Sequence, residues 1–242
     1  SNPALNDSTF TIQDLVQEKM TIQGVAEKGF ITLGVMLITG LSVFGLFVTG
    51  SLELAMMLSI VGWIAGLIFF FVMIFTGLSD NPIAILTYAA LQGLFLGGVT
   101  TMFEAYYPGI AIQAFVLTAG VFGTMLVIYR MGLIPVNDNT RIILASAMGG
   151  VFIIYMLTFI LSFAGISIPF IHGSGPIGIL FSLFVIGLGA YCLACDFDFI
   201  EQGVENGAPK SYEWRAVFGL LVTLVWIYLE MLRLLAKLQS RR

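Results

Sequence analysis

Charge is what this chain has least of. Asp, Glu, Lys and Arg together make up 10% of its 242 residues, against about 25% in an ordinary soluble domain. The net charge is −4 and no basic patch is interleaved with aromatics, so nucleic acid is not an expected partner. Histidine occurs once, as His172. One imidazole can neither build a metal cluster nor ligate haem from two sides, and it reads as a solvated loop residue. The only cysteines, Cys192 and Cys195, form a C-x-x-C. They lack the βαβ setting of a redox site and the two further ligands of a zinc site, so they read as reduced packing residues. No Gly-x-Ser-x-Gly motif is present, and the only lysine of the last apolar stretch, Lys237, stands at its very end. Serine-based intramembrane proteolysis and retinal Schiff-base chemistry therefore lack their residues. The expectation is a protein that is not an enzyme and holds no cofactor.

What the chain has is apolar surface. Hydrophobic residues make up 59% of it, more than a single soluble core of this length can hide. Seven apolar spans follow one another: Phe30–Thr49, Leu54–Gly77, Pro82–Phe103, Gly109–Arg130, Ile142–Phe163, Pro176–Cys195 and Trp214–Ala236. Each is near the ~20 residues that cross ~30 Å of hydrocarbon as a helix. They are continuously apolar, without the alternation of barrel strands. The fold class is thus all-α, a seven-helix transmembrane bundle over residues 30–239, preceded by a polar segment over 1–29 that does not read as a cleavable signal. Ser79-Asp80-Asn81-Pro82, Tyr107-Pro108-Gly109 and Asn137-Asp138-Asn139 read as turns, and Asn206-Gly207 as a helix stop. Gly62/Gly66 and Gly93/Gly97 have the four-residue spacing of close helix crossings, although a glycine-rich membrane protein gives such pairs by chance.

Lys19, Lys28, Arg130, Arg141, Lys210 and Arg215 all fall in the N-terminal segment or the even-numbered loops, and the three opposing loops hold no Lys or Arg. The asymmetry predicts a cytoplasmic N-terminus. The tail runs against it, because Arg233, Lys237, Arg241 and Arg242 would lie outside after seven crossings.

Acids at membrane depth are costly and are the first candidates for function. Asp196, Asp198 and Glu201 follow directly on the sixth span. With the helix continuing to about Val204, Asp196 lies ~12 Å inside its end, and Asp198 points about 200° away from it. All three could instead simply solvate the helix end. Glu230 is the other deep acid. In an antiparallel hairpin Asp196 faces Gly219 to Thr223, and Glu230 falls ~10–16 Å deeper, so the two meet only if the last helix bends. The plain alternative for Glu230 is an i, i+3 pair with Arg233.

The stretch AYCLACDFDFIEQGVENGAPKSYEWRAVFGLLVTLVWIYLEMLRLLAK, residues 190–237, resembles the C-terminal region of the Bax inhibitor-1 family, the transmembrane Bax-inhibitor-motif proteins. Asn2-Pro3-Ala4-Leu5 and Asn81-Pro82 to Gly98 resemble its bacterial branch. The resemblance implies a seven-helix bundle with the last helix near its centre, in a bacterial plasma membrane. It also implies a pH-sensitive calcium leak, gated by an aspartate ending the sixth helix and paired with one in the seventh. Asp196 matches the first of these. Val222 or Thr223 stands in the place of the second, with Glu230 about two turns further on. The familiar Asp-Thr-Gln reads Asp196-Phe197-Asp198, and the basic residue that some members carry in the second helix is absent from Leu54–Gly77. The expected function is therefore a calcium leak with Asp196 as proton sensor and metal ligand, Glu230 or Asp198 as its carboxylate partner, and Thr223 as a possible gating contact. The alternative is a non-conducting scaffold that binds another membrane protein. Two or more titratable side chains in one cavity would favour the channel.

Overall fold

The computed structural model describes residues 18–163 and 173–241; His172 lies outside them. Seven α-helices run through the described chain: α1 (Ile22–Val48), α2 (Leu52–Thr76), α3 (Pro82–Tyr106), α4 (Ile110–Arg130), α5 (Asp138–Phe163), α6 (Pro176–Glu205) and α7 (Tyr212–Gln239). All seven are long and apolar enough to cross a membrane, as the hydropathy pattern predicts. Their large apolar side chains, such as Phe30, Phe75, Ile83 and Ile112, are exposed on the outside, where hydrocarbon rather than water is the solvent. Helix α1 begins eight residues before the expected Phe30. Its start is set by the Thr21 hydroxyl, which accepts from Gly24 N at 2.9 Å, an N-cap that a hydropathy scan does not see.

The predicted punctuation marks the helix ends. Asn81 caps α3, accepting from Ile83 N and Ala84 N, with Pro82 in the first turn. Asn137 accepts from Thr140 N at 2.9 Å and opens α5. Glu104 accepts from Gly109 N and Ala111 N and holds the α3–α4 turn. Gly207, at φ +64, ends α6 while Ala208 N donates to Gly203 O, a left-handed stop that favours glycine.

Helix α7 is the centre of the bundle. It packs against α1, α3, α4, α6 and the short 3₁₀ turn Leu78–Asp80, whereas α5 lies along α6 and reaches α7 through Tyr155. Phe218 and Leu221 of α7 join Tyr88 and Ile85 of α3 in one cluster, and Ile227 joins Leu193 and Ala194 of α6 in another. Both small-residue pairs sit at crossings. A Cβ on Gly97 would lie 2.5 Å from Gly40 O, and one on Gly93 would overlap Met36 O, so α1 and α3 touch backbone to backbone. A Cβ on Gly62 would lie 2.7 Å from Leu91 O, while Gly66 meets only Gln92 and Leu91 side chains at 3.4 Å or more. The first three glycines are thus structural requirements, as van der Waals packing between membrane helices demands.

Candidate functional site

The N-terminal end of the bundle is tied by ion pairs between different segments. Lys28 of α1 pairs with Glu213 of α7, Arg141 of α5 with Asp198 of α6, and Lys210 of the α6–α7 loop with Glu18. Arg215 of α7 embraces Asp80, with Nε at 3.0 Å and Nη2 at 2.7 and 2.9 Å. Glu213 is fully buried and also accepts from Thr21 N and Thr21 Oγ1. Its carboxylate occupies the space that a Cβ on Gly24 would need. An antiparallel bridge, with Met20 N donating to Ala208 O and Lys210 N to Glu18 O, seats the segment before α1 on the α6–α7 loop.

Asp196 lies behind this layer. The 30-residue α6 ends at Glu205, close to the expected Val204, which places Asp196 about 13 Å inside the helix end. The Thr223 hydroxyl donates to Asp196 Oδ2 at 2.7 Å. It also reaches Gly219 O, on its own helix, at 3.2 Å. One hydroxyl proton thus has two acceptors, of which the carboxylate is the stronger when ionised. Asp196 lines a cavity of about 370 Å³ with Arg215, Ser79, Phe199, Phe218 and Gly219. Gly219 leaves this approach open, since a Cβ there would stand 3.5 Å from Asp196 Oδ1.

Of the acids picked out in the sequence, none is brought into contact with Asp196. Asp198 faces away, as its 200° offset requires, and is held by Arg141, by Gln202 Nε2 at 2.8 Å and by Tyr129 Oη at 3.4 Å. Glu230 is fully buried near the opposite end, where Tyr155 Oη donates at 2.8 Å and Arg233 Nη1 at 3.0 Å. The direct Asp196–Glu230 pair does not form: α7 is one unbroken helix, and Glu230 lies about 10 Å along it from Thr223. The contact that does form is the one between Asp196 and Thr223.

Hydropathy and spacing do not single out Arg215, Asp80, Tyr129, Tyr155 or Ser182. Asp80 reads as a turn residue and Arg215 as a topology signal, and only the packing of α7 on the 3₁₀ turn makes them a pair. The basic tail also finds its place. Arg233 pairs with Glu230, and Lys237 donates to Gly178 O at 3.0 Å and Ser182 Oγ at 2.9 Å. Arg233 and Lys237 are therefore held by partners within the fold.

No curated protein matches this chain, and no solved structure does. A family model described as Bax inhibitor 1 like matches residues 2–240. Together with the seven-helix bundle built around its last helix, that match over essentially the whole chain makes this protein a member of the Bax inhibitor 1 like family.

Proposed function

We propose that the protein is a pH-sensitive calcium leak in a bacterial plasma membrane, with its N-terminus in the cytoplasm and Asp196 as the residue that senses protons. The observation that carries this reading is a carboxylate two to three turns inside a membrane helix, bonded to the central helix through one hydroxyl and open to a cavity it shares with Arg215. The cavity holds one titratable carboxylate, Asp196, beside the permanently charged Arg215 guanidinium, and an acid open to a cavity supports conduction over a scaffold role. Ionised Asp196 accepts a charge-assisted hydrogen bond from the Thr223 hydroxyl, which holds α6 on α7. Its charge also draws a hard cation, which prefers carboxylate oxygen, toward the cavity. Protonation removes both effects. Thr223 is then free to donate back to Gly219 O, and the latch between the two helices loosens. Arg215 stays neutralised by Asp80 and does not repel the incoming cation.

The sign follows from this assignment: acidification opens the leak. Purified protein in liposomes loaded with a calcium indicator should admit calcium faster than empty liposomes, and faster still as the pH falls. No calcium flux at any pH would remove the channel reading.

A further inference from the structure

A second, larger cavity lies on the other face of α7 and belongs to a different task. It has a volume of about 930 Å³ and is walled by α1 and α4, with α6 and α7 as its floor. Helices α1 and α4 do not pack on each other among the described residues, so the cavity is a groove open sideways between them. Phe30 and Leu126 stand at its rim, both exposed to the surroundings of the bundle. On α1 it runs from Ile22 to Leu33, and on α4 from Arg130 back to Phe122. These spans are about 12–16 Å along the helix axes, the depth of one leaflet of a ~30 Å hydrocarbon core.

The groove changes character along that depth. Its inner part is lined by Phe122, Leu220 and Leu224, which offer water none of the two to four polar partners it needs. Its mouth, at the N-terminal end, carries charges of both signs. Arg130 makes no hydrogen bond or ion pair among the described residues. Glu201 is exposed and accepts from the Tyr129 hydroxyl through one oxygen, leaving the other without a donor among the described residues. Asp198, also at the mouth, is already taken by Arg141. One guanidinium and one carboxylate are thus left to meet a ligand.

We infer that this groove binds a single aminophospholipid from the adjoining leaflet, one of its two acyl chains lying between α1 and α4, its phosphate on Arg130 and its primary ammonium on Glu201. A guanidinium suits phosphate because its planar donors can make parallel bonds to two oxygens. A carboxylate suits a primary ammonium, which donates N–H bonds, over the quaternary ammonium of a choline lipid, which has none. An anionic glycerol headgroup would satisfy Arg130 and leave Glu201 without a cation. The site is independent of the Asp196 cavity, and its test does not use ion flux.

The intact protein, purified in detergent micelles doped equally with phosphatidylethanolamine, phosphatidylcholine and phosphatidylglycerol, should keep one phosphatidylethanolamine in native mass spectrometry. Arg130→Gln and Glu201→Gln should each lower its retention about tenfold, the scale of one charge-assisted bond. Gly29 lines the groove, and a Cβ there would meet nothing closer than Val217 at 4.0 Å. Gly29→Leu therefore has room to fill the groove, and it should exclude the lipid while the protein keeps its wild-type melting temperature. Equal retention of the three lipids, retention of none, or a Gly29→Leu protein that still holds phosphatidylethanolamine would each overturn the proposal.

Discussion

Among the described residues, four ion pairs at the N-terminal end of the bundle each join different segments of the chain, whereas at the opposite end Arg233 answers Glu230 from one turn away on the same helix. The two deep acids follow this division. Glu230 is fully buried, with a phenol and a guanidinium on one of its oxygens. Asp196 has one hydroxyl partner among the described residues and a cavity in front of it. A buried acid fixed by a cation is set up to hold structure, and breaking such a pair is costly. An acid with one neutral partner and an open side can exchange a proton. Under the proposed function, the charged partners serve stability and the Thr223 hydroxyl serves regulation.

The largest effect should come from Glu213. Glu213→Ala removes the acceptor of Lys28 and of both Thr21 donors, and it should cost about 3 kcal/mol of stability. Thermal unfolding in detergent would measure this, and a melting temperature equal to that of the wild type would break the view that the N-terminal end is an ion-paired clamp. Glu230→Ala should cost less, about 2 kcal/mol, because the Arg233 side chain is 41% exposed and can turn toward the interface. In the same variant series, Glu230→Gln should leave the pH midpoint of calcium flux unmoved, since Glu230 does not reach Asp196. A shifted midpoint would mean that the two ends communicate.

Smaller in energy, but aimed at the site itself, is Thr223→Asp. It places a second carboxylate opposite Asp196, and two such groups share a proton rather than both ionise. The pH response of the flux should become stronger, and an unchanged curve would show that Thr223 does not face the sensor. The smallest perturbation tests which end faces the cytoplasm. In a protein with Cys192 and Cys195 changed to Ala, a change expected to keep flux within about threefold, Asp138→Cys should resist an impermeant thiol reagent added outside intact cells. External labelling would reverse the orientation.

Much of this was legible in the sequence, because membrane helices announce themselves by length and continuous apolarity. The seven spans, the Asn81-Pro82 start, the Asn206-Gly207 stop and the glycine crossings rest on local physics that a single segment carries. The Asp196–Thr223 contact was also within reach, since an antiparallel hairpin at 1.5 Å per residue fixes which residues face each other. Beyond reach were the partners that depend on helices distant in the chain. Nothing near Asp80 announces Arg215, 135 residues away, and nothing near Glu230 announces Tyr155. The groove between α1 and α4 was equally hidden, because it follows from two helices failing to touch. The partners of the tail charges were hidden for a related reason. Arg233 and Lys237 count as loop cations in a topology sum, but the fold spends them on Glu230, Gly178 and Ser182.

The central claim is that one side chain, Asp196, sets the pH dependence of the leak, and calcium flux against pH in liposomes for wild type and Asp196→Asn tests it most directly. Asparagine keeps the shape and can still accept from Thr223, but it cannot ionise. The account predicts a wild-type flux that rises as pH falls, and an Asp196→Asn flux that is flat across pH and stays near the acid level of the wild type. An Asp196→Asn protein that folds and reproduces the wild-type curve would contradict it.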